Sequence, residues 1–133
     1  ELEVIYERDF LSPDGVEIIT SLAVSPDGNA IAIGAVNSRD LTAGSVTVVN
    51  LQNSQEILQA SVGRPVCNIY WADNDNVIYG QFDDRPCSLI RDNQPSDRLI
   101  QHTLSTNTTT TILDGQGDIL YFISRYPPTP PYD

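Results

Sequence analysis

The chain has 133 residues, of which 18 are acidic and 7 basic, all seven of them Arg, giving a formal net charge of −11. With 40% hydrophobic and 19% charged residues it has the composition of one soluble globular domain, and so acidic a surface repels phosphate backbones, which argues against nucleic acid as a partner. No stretch approaches the roughly 20 consecutive apolar residues that cross a bilayer as a helix, so membrane insertion is not expected.

Along the chain, apolar residues fall in short runs rich in Ile, Val, Thr and Tyr, separated by clusters of Ser, Pro, Asp, Gly and Asn. That pattern predicts an all-β protein. A first strand is expected over 2–7, followed by Ser12-Pro13-Asp14-Gly15, which reads as a connection into the next unit. Strands over 18–24 and 30–36 flank Ser25-Pro26-Asp27-Gly28. In this turn Pro26 fixes φ, Asp27 bonds neighbouring backbone, and Gly28 accepts positive φ, so the chain reverses there. A polar loop from Asn37 to Gly44 leads to strands 45–51 and 55–60. Strands 66–72 and 77–82 follow, joined at Asp73-Asn74-Asp75-Asn76. A longer loop, Asp83 to Asp97, carries Cys87 and two prolines, and strands 98–104, 109–113 and 119–125 complete the set.

The spacing repeats. Val24 aligns with Trp71, Gly34 with Gly80, Leu51 with Leu104, and Ile57-Leu58 with Ile112-Leu113. Each unit (about 18–60 and 66–113) reads as strand, tight turn, strand, loop, strand, tight turn, strand. A four-stranded antiparallel unit recurring at this interval is the pattern of a propeller blade. The segment Ile19 to Leu58, with its Ser-Pro-Asp-Gly hairpin and Gly44-Ser-Val-Thr-Val-Val-Asn-Leu third strand, resembles blades of WD-repeat-like β-propellers. It looks most like the Tol-system periplasmic propeller and the N-terminal propeller of prolyl oligopeptidase-type peptidases. The second unit departs from the pattern in its hairpin and in the insertion before its third strand, and neither unit has the Gly-His and Trp-Asp pairs of a true WD repeat. The resemblance implies about two and a half blades, where closed propellers typically have 4 to 8. The expected chain is therefore part of a longer propeller, a module whose copies associate, or, alternatively, a β-sandwich. Its start at Glu1, without a signal-like segment, points to a processed form or a fragment. The expected organisation is a propeller-like domain over 1–126 and a Pro-rich tail over 127–133.

Candidate chemistry is sparse. Cys67 and Cys87 are either a disulfide or two buried thiols. A hairpin with Ala72 opposite Val77 and Cys67 opposite Phe82 brings the insertion loop near Cys67 and favours the disulfide, worth on the order of 3 kcal/mol in the chain-entropy picture. Two Cys and the lone His102 do not make a tetrahedral zinc site, and Asp73 to Asn76 reads as turn chemistry rather than a calcium loop. Asp83-Asp84 reads as a solvated loop and His102 as a hydrogen-bonded strand residue. With no Gly-x-Ser-x-Gly elbow and no phosphate-cradling loop, no catalytic residue, metal or cofactor is expected.

The Asn107-Thr108-Thr109 sequon marks Asn107 as a glycosylation candidate. The tail supplies candidate interaction residues: Arg125, Tyr126, Pro128, Pro131 and Tyr132, with Arg125, Pro128 and Pro131 at the basic-x-x-Pro-x-x-Pro spacing. A stiff linker, or an arm docking on a neighbouring copy, is the favoured reading of this polyproline segment. The functional expectation is a non-enzymatic module for protein–protein interaction or self-assembly, working by β-augmentation across strands 2–7 and 119–125. The alternatives are the gating propeller of a prolyl oligopeptidase-like peptidase without its catalytic domain, and a carbohydrate-binding module using Tyr70, Trp71 and Tyr79. A secreted, periplasmic or cell-surface location is expected.

Overall fold

The structure, a computed structural model, describes residues 11–12, 15–40, 44–81, 95–96, 98–114 and 120–121. These are all-β: β1 (Leu11–Ser12), β2 (Gly15–Val24), β3 (Ala30–Asn37), β4 (Gly44–Asn50), β5 (Glu56–Ser61), β6 (Val66–Trp71), β7 (Asn76–Gln81), β8 (Pro95–Ser96), β9 (Arg98–Thr103), β10 (Thr108–Asp114) and β11 (Leu120–Tyr121). Strands β2 to β5 form one antiparallel meander in chain order, with the short β1 on the outside of β2. Strands β6, β7, β9 and β10 form a second meander, and β8 pairs with β11 as a separate two-stranded ladder. The chain is thus built on two four-stranded antiparallel units, the architecture that the repeat implies.

The two units correspond residue by residue over three strands. In the first hairpin Val24 faces Ile31, and in the second Trp71 faces Val77. A β-bulge sits at Thr20 in β2 and at Cys67 in β6, one step before Ser21↔Gly34 and Asn68↔Gly80 respectively. The closing hydrogen bonds also match, with Leu51 N donating to Asn29 O and Leu104 N to Asp75 O.

The core lies between the sheets. The inward face of the first sheet is made of small side chains, Ala23, Ala30, Ala32 and Gly34, with Val46 and Val48 beyond them. Against it pack the large side chains of the second, Ile69, Trp71, Val77 and Tyr79. Small against large lets the two sheets approach closely. Gly34 shows how close: a Cβ there would lie 2.7 Å from Val66 Cγ1. The central strands β3 and β4 are buried on both faces, which is why they read as near-continuous apolar runs.

Three expectations are corrected. The second hairpin is one residue tighter than expected, so Trp71 rather than Ala72 faces Val77, and Cys67 sits in the bulge instead of opposite Phe82. The cause is Asp73, whose Oδ1 accepts from Asp75 N at 2.8 Å and Asn76 N at 2.9 Å and ends the turn early. Ser12-Pro13-Asp14-Gly15 is not a mere connection, because Ser12 pairs with Gly15 and Leu11 with Val16. In the fourth strands, Leu58 faces Val48 but Leu113 faces Leu99, so Ile57-Leu58 and Ile112-Leu113 are not structural equivalents. The bulges responsible fall at different points, Ile57 in β5 and Ile112 in β10. Strand 2–7, most of the Asp83–Asp97 loop, strand 119–125 apart from β11, and the tail over 127–133 lie outside the described residues.

Candidate interaction surface

β2 and β6 run beside each other where the two sheets meet, and side chains join them. Thr20 Oγ1 donates to the Val66 carbonyl. Ile69 N donates to Ser21 Oγ at 3.0 Å, and Trp71 Nε1 donates to Ala23 O at 2.8 Å. At the turns, Asp27 N donates to Asn74 Oδ1 at 3.0 Å. All four bonds join residues 46 to 48 positions apart, so each unit is fastened to its own equivalent one repeat away.

Along these strands runs a groove of about 460 Å³ lined by Leu22, Ala23, Val24, Pro26, Ile69, Tyr70 and Trp71. Its rim is apolar, with Leu22 57% and Val24 56% exposed, and Ile19 stands 40% exposed further along β2. Trp71 and Tyr79 are core residues rather than a stacking platform. Trp71 is buried and its indole N–H is spent on Ala23. Burial pushes the Tyr79 phenol up to about 12. Two of the three aromatics named for carbohydrate binding are therefore committed to packing.

The two hairpin turns lie together at one end of the groove and use their polar atoms internally. Asp27 Oδ1 accepts from Ser25 Oγ at 2.7 Å and from Asn29 N at 3.0 Å, and Gly28 takes φ +76°. The amide of Asn29, then the Ser25 hydroxyl, hold the Asp27 carboxyl below its ordinary value. Asp73 is lowered likewise, first by the Asp75 amide and then by the Asn76 side chain. Asp75 accepts from Ser105 N at 2.9 Å and Ser105 Oγ at 2.6 Å, tying this turn to the one between β9 and β10. Asn76 Oδ1 accepts from Gln101 Nε2 and Thr103 Oγ1. The Asp73–Asn76 oxygens thus act as turn and strand ties, and among the described residues no three His, Cys, Asp or Glu side chains converge.

On the outer side of each sheet a strand is left with one neighbour. β5 pairs only with β4, and β10 only with β9, among the described residues. Every residue of β10 is exposed, including Ile112 at 44% and Leu113 at 48%. The sequence reading places its contacts at the chain ends and misses this strand. The signal is present in Thr108-Thr-Thr-Thr-Ile-Leu, a β-branched run without the alternation of a half-buried strand.

The remaining candidate residues are dispersed. Cys67 is buried in the β6 bulge and is not a free thiol; Cys87, its expected partner, lies outside the described residues. Asn107 is exposed at the turn before β10, with φ 53°, and its Oδ1 lies 3.0 Å from Nε2 of the buried His102. Arg125, Tyr126, Pro128, Pro131 and Tyr132 lie outside the described residues. Compared with known proteins, the sequence matches no protein-family model and no curated relative.

Proposed function

We propose that this chain is a non-enzymatic, propeller-like β module that binds protein chains, other copies of itself among them, through an open strand edge. The observation that carries the reading is β10. Its seven residues are all exposed, it pairs on one side only among the described residues, and it holds no Lys, Arg or Pro. Such an edge offers a row of backbone donors and acceptors to an incoming strand, which is the β-augmentation mode of recognition. A secreted, periplasmic or cell-surface setting is supported by the absence of a free thiol at Cys67 and by the exposed sequon at Asn107.

The test is amide hydrogen exchange on the full chain at increasing protein concentration. Edge pairing protects the β10 amides that point away from β9, and Ile112→Lys, which places a charge on the edge, removes that protection while leaving the β9-facing amides unchanged. If β10 exchanges at the same rate from dilute to concentrated solution, the edge reading is wrong.

A further inference from the structure

Asn107 is the only Asn in the chain followed two places on by Ser or Thr, in Asn107-Thr108-Thr109. It closes the tight turn between β9 and β10, its backbone N–H donating to the Leu104 carbonyl at 3.3 Å, and it takes φ 53°. It also stands immediately before Thr108, the first residue of the exposed edge strand β10.

The two arms of its carboxamide have different surroundings. Oδ1 lies 3.0 Å from Nε2 of His102, which is buried on β9 opposite Thr109. An amide oxygen can only accept, so the imidazole carries its proton on Nε2 and donates it to this bond. Nδ2 occupies the other arm of the planar amide and makes no hydrogen bond to the described residues, and Asn107 itself is exposed. The nitrogen that an N-linked sugar uses is therefore the one left open. A sugar on it leaves the His102 bond in place, because that bond uses the oxygen.

We propose that Asn107 carries an N-linked glycan and that this glycan closes the β10 edge to strand addition. In the transfer, the Asn107 amide nitrogen attacks the anomeric carbon of a lipid-linked glycosyl diphosphate. The carbon–nitrogen bond forms as the carbon–oxygen bond to the diphosphate breaks. The diphosphate leaves with the electron pair, the nitrogen gives up one of its two protons, and nothing is oxidised or reduced. An incoming strand lies about 4.8 Å from the strand it joins, and Thr110 is roughly 10 Å along the strand from Asn107. A bulky, hydrated sugar chain anchored at the head of β10 fills that space. β10 has no Lys, Arg or Pro, the residues that commonly guard an open edge, so the glycan supplies a guard that its side chains lack. The proposal rests on the edge reading of β10 and adds its control: the modified chain is kept apart, and the unmodified chain pairs.

Secretion of the full chain from cells that perform N-glycosylation tests this. Peptide mass spectrometry is expected to find sugar on Asn107. Amide exchange at the outward β10 positions is expected to be independent of protein concentration in the glycosylated chain, and to slow with concentration once the glycan is trimmed enzymatically to its first sugar. Thr109→Val removes the acceptor triplet while keeping Asn107 and a β-branched side chain. Secreted from the same cells, it is expected to carry no sugar and to show the same slowing. An Asn107 without sugar in the wild type overturns the proposal, as does a glycosylated chain whose β10 slows as much as that of Thr109→Val. If neither the trimmed chain nor Thr109→Val slows at any concentration, the edge reading itself is wrong and the proposal falls with it.

Discussion

Gly34→Ala probes the inter-sheet contact most directly. The added Cβ would lie 2.7 Å from Val66 Cγ1, 3.3 Å from Val66 Cβ and 3.4 Å from Thr20 Oγ1. Val66 is fully buried and β-branched, so its χ1 is stiff and it cannot swing aside cheaply. Overpacking of this kind costs about 1–3 kcal/mol. Gly34 is a strand residue without positive φ, so replacing it regains about 0.5–1 kcal/mol of backbone entropy. The net expectation is a loss of about 1–2 kcal/mol, or a fall of several degrees in Tm. The lone Trp71 lies in the same interface and reports the urea transition by fluorescence. Val66→Ala alone loses buried methyls and should cost about 1–2 kcal/mol. In the double variant the methyl introduced at position 34 occupies the space that the Val66 side chain vacates, so the cost falls short of the sum by about 1 kcal/mol or more. Additive costs, or a Gly34→Ala protein as stable as the wild type, would refute a direct contact between Gly34 and Val66.

Three further outcomes are expected. Gly44→Ala should destabilise more than Gly34→Ala in the same urea assay, because its Cβ would fall 1.7 Å from the Arg64 carbonyl oxygen, and backbone cannot rotate away. The Asp73 carboxyl is held below its ordinary 3.8 by the Asp75 amide and the Asn76 side chain. Its stabilisation is therefore present above pH 3.8 and lost as pH falls through the lowered value, and Asp73→Asn should flatten the acid limb of a Tm-against-pH curve. Tyr79, raised by burial to about 12, favours the folded chain below its ordinary value of 10.0. That contribution is lost as pH rises from 10.0 to about 12, and Tyr79→Phe should remove this alkaline loss in an unfolding titration.

The strands are legible because β-branched runs and turn clusters alternate sharply in this sequence. Ser25-Pro26-Asp27-Gly28 behaves as its residue types dictate, down to the positive φ at Gly28. The pairing of Val24 with Trp71 and Gly34 with Gly80 also stands, since β3 is buried on both faces and β6 and β7 bury Ile69, Trp71, Val77 and Tyr79 in the core. Where one face is exposed, register loosens. On β10 nothing in a run of Thr residues distinguishes one register from another, and composition alone matches Ile57-Leu58 to Ile112-Leu113. Local side-chain chemistry moves the second hairpin: Asp73 capturing two amides outweighs the residue count on which the Cys67–Phe82 pairing depends. The interaction surface is illegible for another reason. Leu22 and Val24 read like any other apolar strand positions, and only the folded chain shows that their side chains stand exposed.

The fold also decides which edges remain available. A strand edge accepts another strand only where its backbone groups are unspent, and along β2 and β6 several are spent on side chains. The Ser21 hydroxyl takes the Ile69 amide, the Ala23 carbonyl takes the Trp71 indole, and the Val66 carbonyl takes the Thr20 hydroxyl. Occupying these groups closes the inner edges to augmentation, a recognised defence of sheet borders. The outer edges differ from each other. β5 keeps Leu58–Ser61 in unbroken register after its bulge at Ile57, but half-buries Leu58 and Ala60. β10 keeps an equal run, Thr108 to Thr111, before its bulge at Ile112, and is exposed along its whole length. The proposed strand partner is therefore placed on β10 rather than on β5.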